Sequence, residues 1–255
     1  MNLYYKQEEG ELMFKSREFF VRLKGDYALF TNPSTKGGGE KSSYSVPTKQ
    51  ALQGIIDSLY HKPTFRNVVT EVKVMNQIQT EVIGTRALLG SGKVNTADLN
   101  YVSYLTDVEY LVRFYITWNE ARPDLINDRN QKKHEAIMER SIKKGGRRDI
   151  FLGTRECVAT GEYLTQEEYE QAESYYNGKV LSMGIMFQEF EYPIENNQPL
   201  TSYFADIVMK NGVIRFKKKE DCEIVNTLSN YNFKSQTEVK SVDKELEEYE
   251  QMEPR

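Results

Sequence analysis

The chain has 255 residues, 39% of them hydrophobic and 28% charged, and Tyr and Phe supply 29 of its 30 aromatics. This composition belongs to a globular chain and excludes fibrous and wholly disordered classes. No apolar run approaches the eighteen or so residues of a membrane span, and "MNLYYKQEEGELMFKS" lacks the apolar stretch of a secretory signal, so a cytoplasmic protein with no membrane partner is expected.

The formal net charge of −4 is unevenly spread. Residues 241–255 alone carry six acids and two bases, which leaves the rest of the chain neutral. Within that neutral body, residues 129–148 hold eight cations against Glu135 and Glu139. A local patch of this density points to a polyanion, whatever the bulk charge. Cys157 and Cys222 stand 65 positions apart with no CxxC pair, which argues for two reduced, ordinary cysteines.

In chain order, "FFVRLKGDYALF" (19–30) has strand character, and "TNPSTKGGGEKSSYSVP" (31–47) reads as a loop. In the next segment Ala51, Leu52, Ile55, Ile56 and Leu59 share one helical face, Thr48 caps its start and Pro63 ends it. "NVVTEVKVMN" (67–76) and "DVEYLVRFYITWN" (107–119) alternate as strands, the latter placing Val108, Tyr110, Val112, Phe114, Ile116 and Trp118 on one side. A second helix is predicted from Asn127 or Asp128 to the Gly145–Gly146 pair, followed by a strand over "DIFLGTRECVA" (149–159).

Strand, helix, strand, strand, helix, strand is the ferredoxin-like order: an α+β domain with an antiparallel sheet and both helices on one face, expected here over residues 1–160. Residues 161–222 read as a small antiparallel β extension, with strands at 178–193 and 204–218 and Asn211–Gly212 as a hairpin turn. Residues 223–255 read as a loosely ordered acidic tail.

Two Gly-rich loops are flanked by cations: "TKGGGEK", with Lys36 and Lys41, and "KKGGRRD", with Lys143, Lys144, Arg147 and Arg148. The glycines of the second leave the backbone free to turn N–H groups toward a phosphate. Neither loop matches a P-loop or dinucleotide fingerprint, so the contact suggested is a polynucleotide backbone, with Arg129 and Lys132 as further candidates. No HxH, HExxH or Cys–His cluster marks a metallohydrolase, although carboxylates for magnesium are plentiful.

Phosphodiester cleavage without a metal needs a base for the attacking 2′-hydroxyl, a proton donor for the leaving oxygen and a cation on the phosphate. His134, set among the cations, is a candidate base because imidazole titrates near neutrality. A lone His on a helix is more often structural than catalytic, and the same holds for His61.

"LYHKPT", "NEARPDLINDRNQKKH", "KGGRRDIFLGTREC" and "GDYALFTNPSTKGGGEKSSYSVPTKQAL" together resemble the subtype I-C (Dvulg) CRISPR-associated repeat-processing endoribonucleases of the RAMP superfamily. The resemblance runs from about Phe19 to Cys157, and more loosely to about Cys222. It implies an RRM-like, ferredoxin-like domain that cuts CRISPR precursor RNA at the repeat hairpin without metal or cofactor. Such a protein stays on the guide RNA 5′ handle beside the backbone and large subunits of the type I-C surveillance complex.

The catalytic trio implied by the resemblance falls on Tyr60, Lys133 and His134. His134 becomes the general base, Lys133 the cation on the phosphate, and Tyr60 a hydrogen-bond or proton donor. Adjacent residues of a regular helix project about 100° apart, so Lys133 and His134 share a site only if the helix starts later or the lysine stem bends round. The alternative expectation is a non-catalytic guide-RNA subunit that grips phosphates with the same patch. Whether duplex DNA is also a partner is left open at this level.

Overall fold

A computed structural model describes residues 4–6, 12–35, 40–86, 99–193 and 195–232. In chain order the elements are β1 (Tyr4–Lys6), β2 (Leu12–Phe14), β3 (Phe19–Ala28), β4 (Lys41–Ser42), α1 (Lys49–Leu59), β5 (Phe65–Val74), β6 (Thr80–Thr85) and β7 (Asn100–Trp118). There follow α2 (Gln131–Lys143), β8 (Ile150–Phe151), β9 (Val158–Leu164), α3 (Gln166–Gln171), β10 (Val180–Glu191), β11 (Gln198–Lys210), β12 (Val213–Arg215) and β13 (Ile224–Tyr231).

The protein is mostly antiparallel sheet with few helices. One sheet runs in the order β10-β11-β12-β5-β7-β3-β9-β8, with β13 on β11 and with β4 and β6 on β7; all its pairings are antiparallel except β4 with β7. The Asn211–Gly212 turn joins β11 to β12, both residues at positive φ (54° and 78°) as a tight hairpin requires. Through β12, which pairs with β5, the C-terminal hairpin continues the central sheet.

Alternation along β3 divides the core. Phe19, Val21 and Leu23 face α1 and α2, while Phe20 turns to the opposite face and packs with Leu111, Leu164 and Tyr169 of α3. On α1 the expected stripe is buried through Leu52, Ile55, Ile56 and Leu59, and Thr48 caps the helix by accepting from the Ala51 N–H. Each such side chain, fully removed from water, contributes about 1.5–3 kcal/mol. β7 buries Tyr110, Val112, Phe114 and Ile116 in the same core, as its alternation predicted. Asp107, at φ 49°, lies between the part of this long strand that pairs with β6 and the part that pairs with β5, while β3 pairs on both sides of it.

Several elements differ from expectation. The single strand predicted over 149–159 is split into β8 and β9 by a turn at Gly153. Gly153 sits at φ +94°, and a Cβ there would lie 2.0 Å from the Leu29 carbonyl oxygen. The second helix begins at Gln131, not at 127 or 128, because Pro123–Asp128 forms a 3-10 turn and Asn130 is the cap. β6 and α3 were not anticipated. Part of the segment read as loose tail, Ile224–Tyr231, is strand β13 paired with β11; its mostly exposed residues carry no apolar period to announce it. Residues 233–255 lie outside the described residues, as does Lys36. Among the described residues no helix is long and apolar enough to cross a membrane.

Candidate active site

Tyr60 closes α1 as its C-cap, with φ −162° and ψ 123° and its N–H donating to the Ile56 carbonyl. This extended conformation ends the helix and turns the phenol inward, where it is 1% exposed. The Asn67 amide holds the corner, donating to the Tyr60 carbonyl at 3.0 Å and to Asp57 at 2.8 Å.

Across from it, the Asn130 side chain caps α2 by accepting from the Lys133 N–H at 3.1 Å. His134 lies one position further, 1% exposed, amid the rings of Phe65 (5.1 Å between centroids), Trp118 (5.9 Å) and Tyr60 (6.1 Å). His134 Nε2 lies 2.8 Å from the Asp128 backbone carbonyl, which can only accept, so Nε2 carries the proton. The lone pair on Nδ1 therefore receives the Tyr60 hydroxyl proton, over 2.9 Å. Burial raises the Tyr60 pKa, against the pull of the Arg147 charge, and keeps the phenol protonated as this bond requires.

The side-by-side problem posed by Lys133 and His134 is resolved through Asp128. His134 points into the core and Lys133 points out, yet both end at this carboxylate: Lys133 Nζ is 2.5 Å from Oδ1, and His134 Nε2 is 3.5 Å from Oδ2. The Thr64 hydroxyl donates to Oδ2 at 2.7 Å. Lys133 first, and then Thr64, hold the Asp128 carboxyl down at about 2. Asp128 is therefore an anion placed to stabilise a protonated His134. The sequence reading considered it only as a helix cap.

The cations separate into two groups. Lys143 is tied to Glu139 and lies 4.8 Å from the Tyr163 ring, while Arg129 is tied to Glu120 and the Asn119 carbonyl. Lys132, Lys144 and Arg148 are exposed and make no ion pair among the described residues. The Arg147 guanidinium lies over the Tyr60 ring at 4.5 Å, and its Nε donates to Ser141. The Arg148 N–H donates to the Ser58 carbonyl, which places this turn against the end of α1 beside Tyr60.

The glycine pair does not offer its N–H groups to a phosphate. Gly145 and Gly146 donate to the Ile142 and Ser141 carbonyls and close the helix in a Schellman motif at φ +81° and +100°. Lys41 is exposed but lies at the far end of β7, where β4 pairs with Val102, sixteen positions from Trp118. Cys157 and Cys222 are free thiols. Among the described residues no three His, Cys, Asp or Glu side chains cluster as metal ligands would.

Residues 20–217, which include Tyr60, Asp128, Lys133, His134 and Arg147, match the family described as CRISPR-associated protein (Cas_Cas5), in its Cas5d form. The chain belongs to the Cas5d family. It is 26% identical over 219 residues to the CRISPR pre-crRNA endoribonuclease Cas5d of Mannheimia succiniciproducens, covering 76% of this chain and 92% of that protein. The crystal structure of a CRISPR-associated protein, 57% identical, superposes with a TM-score of 0.74 over 85% of this chain and all of that one. The structure of SMU1763c from Streptococcus mutans, described as functionally uncharacterized, is 61% identical, with a TM-score of 0.73 over 84% of this chain and all of that one. The Cas5d match ends at Lys217 and so leaves β13 outside it.

Proposed function

We propose that this Cas5d protein is a metal-independent endoribonuclease that cuts CRISPR precursor RNA at the repeat hairpin. It then stays on the guide RNA 5′ handle beside the backbone and large subunits of a type I-C surveillance complex. The observation that carries the reading is the buried Tyr60–His134–Asp128 chain beside a rim of cations that make no ion pair among the described residues. The relative named as a pre-crRNA endoribonuclease supports the substrate class.

In this reading the ribose 2′-hydroxyl gives its proton to the Tyr60 oxygen as Tyr60 passes its own to His134 Nδ1. The imidazolium formed is balanced by Asp128. The 2′-oxygen bonds to phosphorus, the 5′-oxygen leaves and takes the proton held on His134, returned through Tyr60, and a cyclic phosphate remains with the neutral imidazole restored. Arg147 moves from the Tyr60 ring onto the phosphate, and Lys133 exchanges Asp128 for the same charge. Lys132, Lys144 and Arg148 hold the flanking backbone, Lys41 serves a distal stretch of a long RNA, and Lys36 is a further RNA contact read from the sequence.

The supporting architecture is read as a ferredoxin-like domain over residues 1–160, with a β extension over 161–222 and a tail over 223–255. The order β5-β7-β3-β9, all antiparallel, with α1 and α2 on one face, supports it.

A second reading is favoured by the burial of Tyr60 and His134 and by the full use of both imidazole nitrogens. In it the pair is a structural clasp between α1 and α2, and the basic rim only binds guide RNA. Single-turnover cleavage of a repeat hairpin, with binding measured in parallel, separates the two. His134→Ala that binds normally and fails to cut supports the enzyme. His134→Ala cutting at the wild-type rate rejects the mechanism, and a wild type that binds in a salt-dependent manner without cutting leaves the clasp.

A further inference from the structure

A cavity of about 630 Å3 opens beside the His134 site, lined by Trp118, Phe190, Tyr192, Arg66 and Lys219. Trp118 joins the two places: it lines the cavity and also packs edge-on to the His134 ring at 5.9 Å. Its indole is fixed from behind by a stack on Phe14, 4.3 Å between centroids and 13° between planes.

Tyr192 is half-exposed and is held in place by edge contacts with Phe190 (6.3 Å) and Tyr231 (5.2 Å). Ring surface fixed in this way loses little freedom when a flat ligand stacks on it.

The charges around the cavity are already sorted. Its acids have cations of their own: Glu189 pairs with Lys49, Glu191 with Lys219 and the Tyr203 hydroxyl, and Glu120 with Arg129. The Arg66 side chain is exposed and makes no hydrogen bond or ion pair among the described residues; its charge does help hold the Glu191 carboxyl low. Aromatic walls with one unspent guanidinium at the mouth match an unpaired nucleotide, base inside and phosphate at the rim. A duplex would leave the walls unused, since its bases are already stacked and paired.

We infer that the cavity between Trp118 and Tyr192 is a subsite for the unstacked base of a nucleotide adjoining the cut, with Arg66 on its phosphate. This rests on the endoribonuclease reading and adds to it a specificity element outside the proton chain. The protein would then choose its cleavage position partly by drawing one unpaired base out of line, which fixes the neighbouring 2′-hydroxyl beside Tyr60.

The test places 2-aminopurine singly at each nucleotide flanking the cut, in repeat RNA made uncleavable by a 2′-deoxy sugar. Wild-type protein should quench one flanking position on binding. Tyr192→Ala should restore that emission and bind roughly 5- to 150-fold more weakly, while Tyr192→Phe should keep both quenching and affinity. An abasic residue at the same position should weaken the wild type and leave Tyr192→Ala unchanged. Arg66→Ala should weaken binding a few-fold with a shallower salt dependence. Wild-type binding with no flanking position quenched, quenching that survives in Tyr192→Ala, or an abasic penalty equal in both proteins overturns the subsite alone. Failure of the wild type to bind repeat RNA overturns the endoribonuclease reading together with it.

Discussion

Replacing Tyr60 with Phe isolates the hydrogen bond on which the proposed chemistry depends. The ring remains, so its packing against Phe65 at 5.2 Å and the Arg147 contact at 4.5 Å are retained. The hydroxyl that donates to His134 Nδ1 over 2.9 Å is lost, in a pocket where both side chains are 1% exposed. A buried acceptor left without its donor costs about 1–3 kcal/mol, which in a chain of this size lowers the melting temperature by about 2–4 °C per kcal/mol. The proton path from the ribose to His134 is broken as well, and loss of general base action slows cleavage by about 100- to 10,000-fold. Thermal unfolding and single-turnover cleavage of a repeat hairpin, followed on the same preparation, measure both. A folded Tyr60→Phe protein that cuts at the wild-type rate refutes the relay, and one that loses no stability refutes the buried bond.

Asp128→Asn removes a carboxyl held at about 2 by Lys133 and Thr64. Because the folded value lies below the ordinary one, its stabilisation is complete above pH 4 and fades as pH falls toward 2. The stability gap between wild type and variant, read by chemical denaturation, should therefore close across that window. Gly153→Ala forces a Cβ to 2.0 Å from the Leu29 carbonyl oxygen at φ +94°, and should cost at least about 2 kcal/mol in a denaturant titration. Lys132→Ala, Lys144→Ala and Arg148→Ala should each weaken RNA binding across sequences and lower the log–log salt slope by about 0.7–1.

What could be read from the sequence was what depends on neighbours in the chain. Thr48, the Leu52–Leu59 stripe and Pro63 place α1 from local rules alone, and the alternation of Val108 to Trp118 marks the buried face of β7. Asn211–Gly212 names its own turn. β6 and β13 escaped because their side chains are mostly exposed, which leaves no apolar period to detect.

The start of α2 was misplaced because Asp128 and Asn130 are equally good caps locally. Thr64 and Lys133 occupy the Asp128 carboxylate and leave the capping to Asn130. The same competition hid the role of Asp128, since Thr64 lies 64 positions away. His134 stood out as an imidazole among cations, whereas Tyr60 and Lys133 were reached through resemblance. The meeting of Lys133 and His134 at two sides of one carboxylate depends on the late helix start. Which cations are free was equally out of reach, because the partners of Arg129 and Arg147 come from tertiary packing.

The most direct measurement is the chemistry of the ends formed when purified protein meets labelled repeat RNA in EDTA. The expected result is a 2′,3′-cyclic phosphate or its opened product on the upstream fragment, a 5′-hydroxyl on the downstream fragment, and no cutting of RNA with a 2′-deoxy sugar at the site. Cleavage that appears only on addition of a divalent metal, or that leaves a 3′-hydroxyl and a 5′-phosphate, would contradict the account.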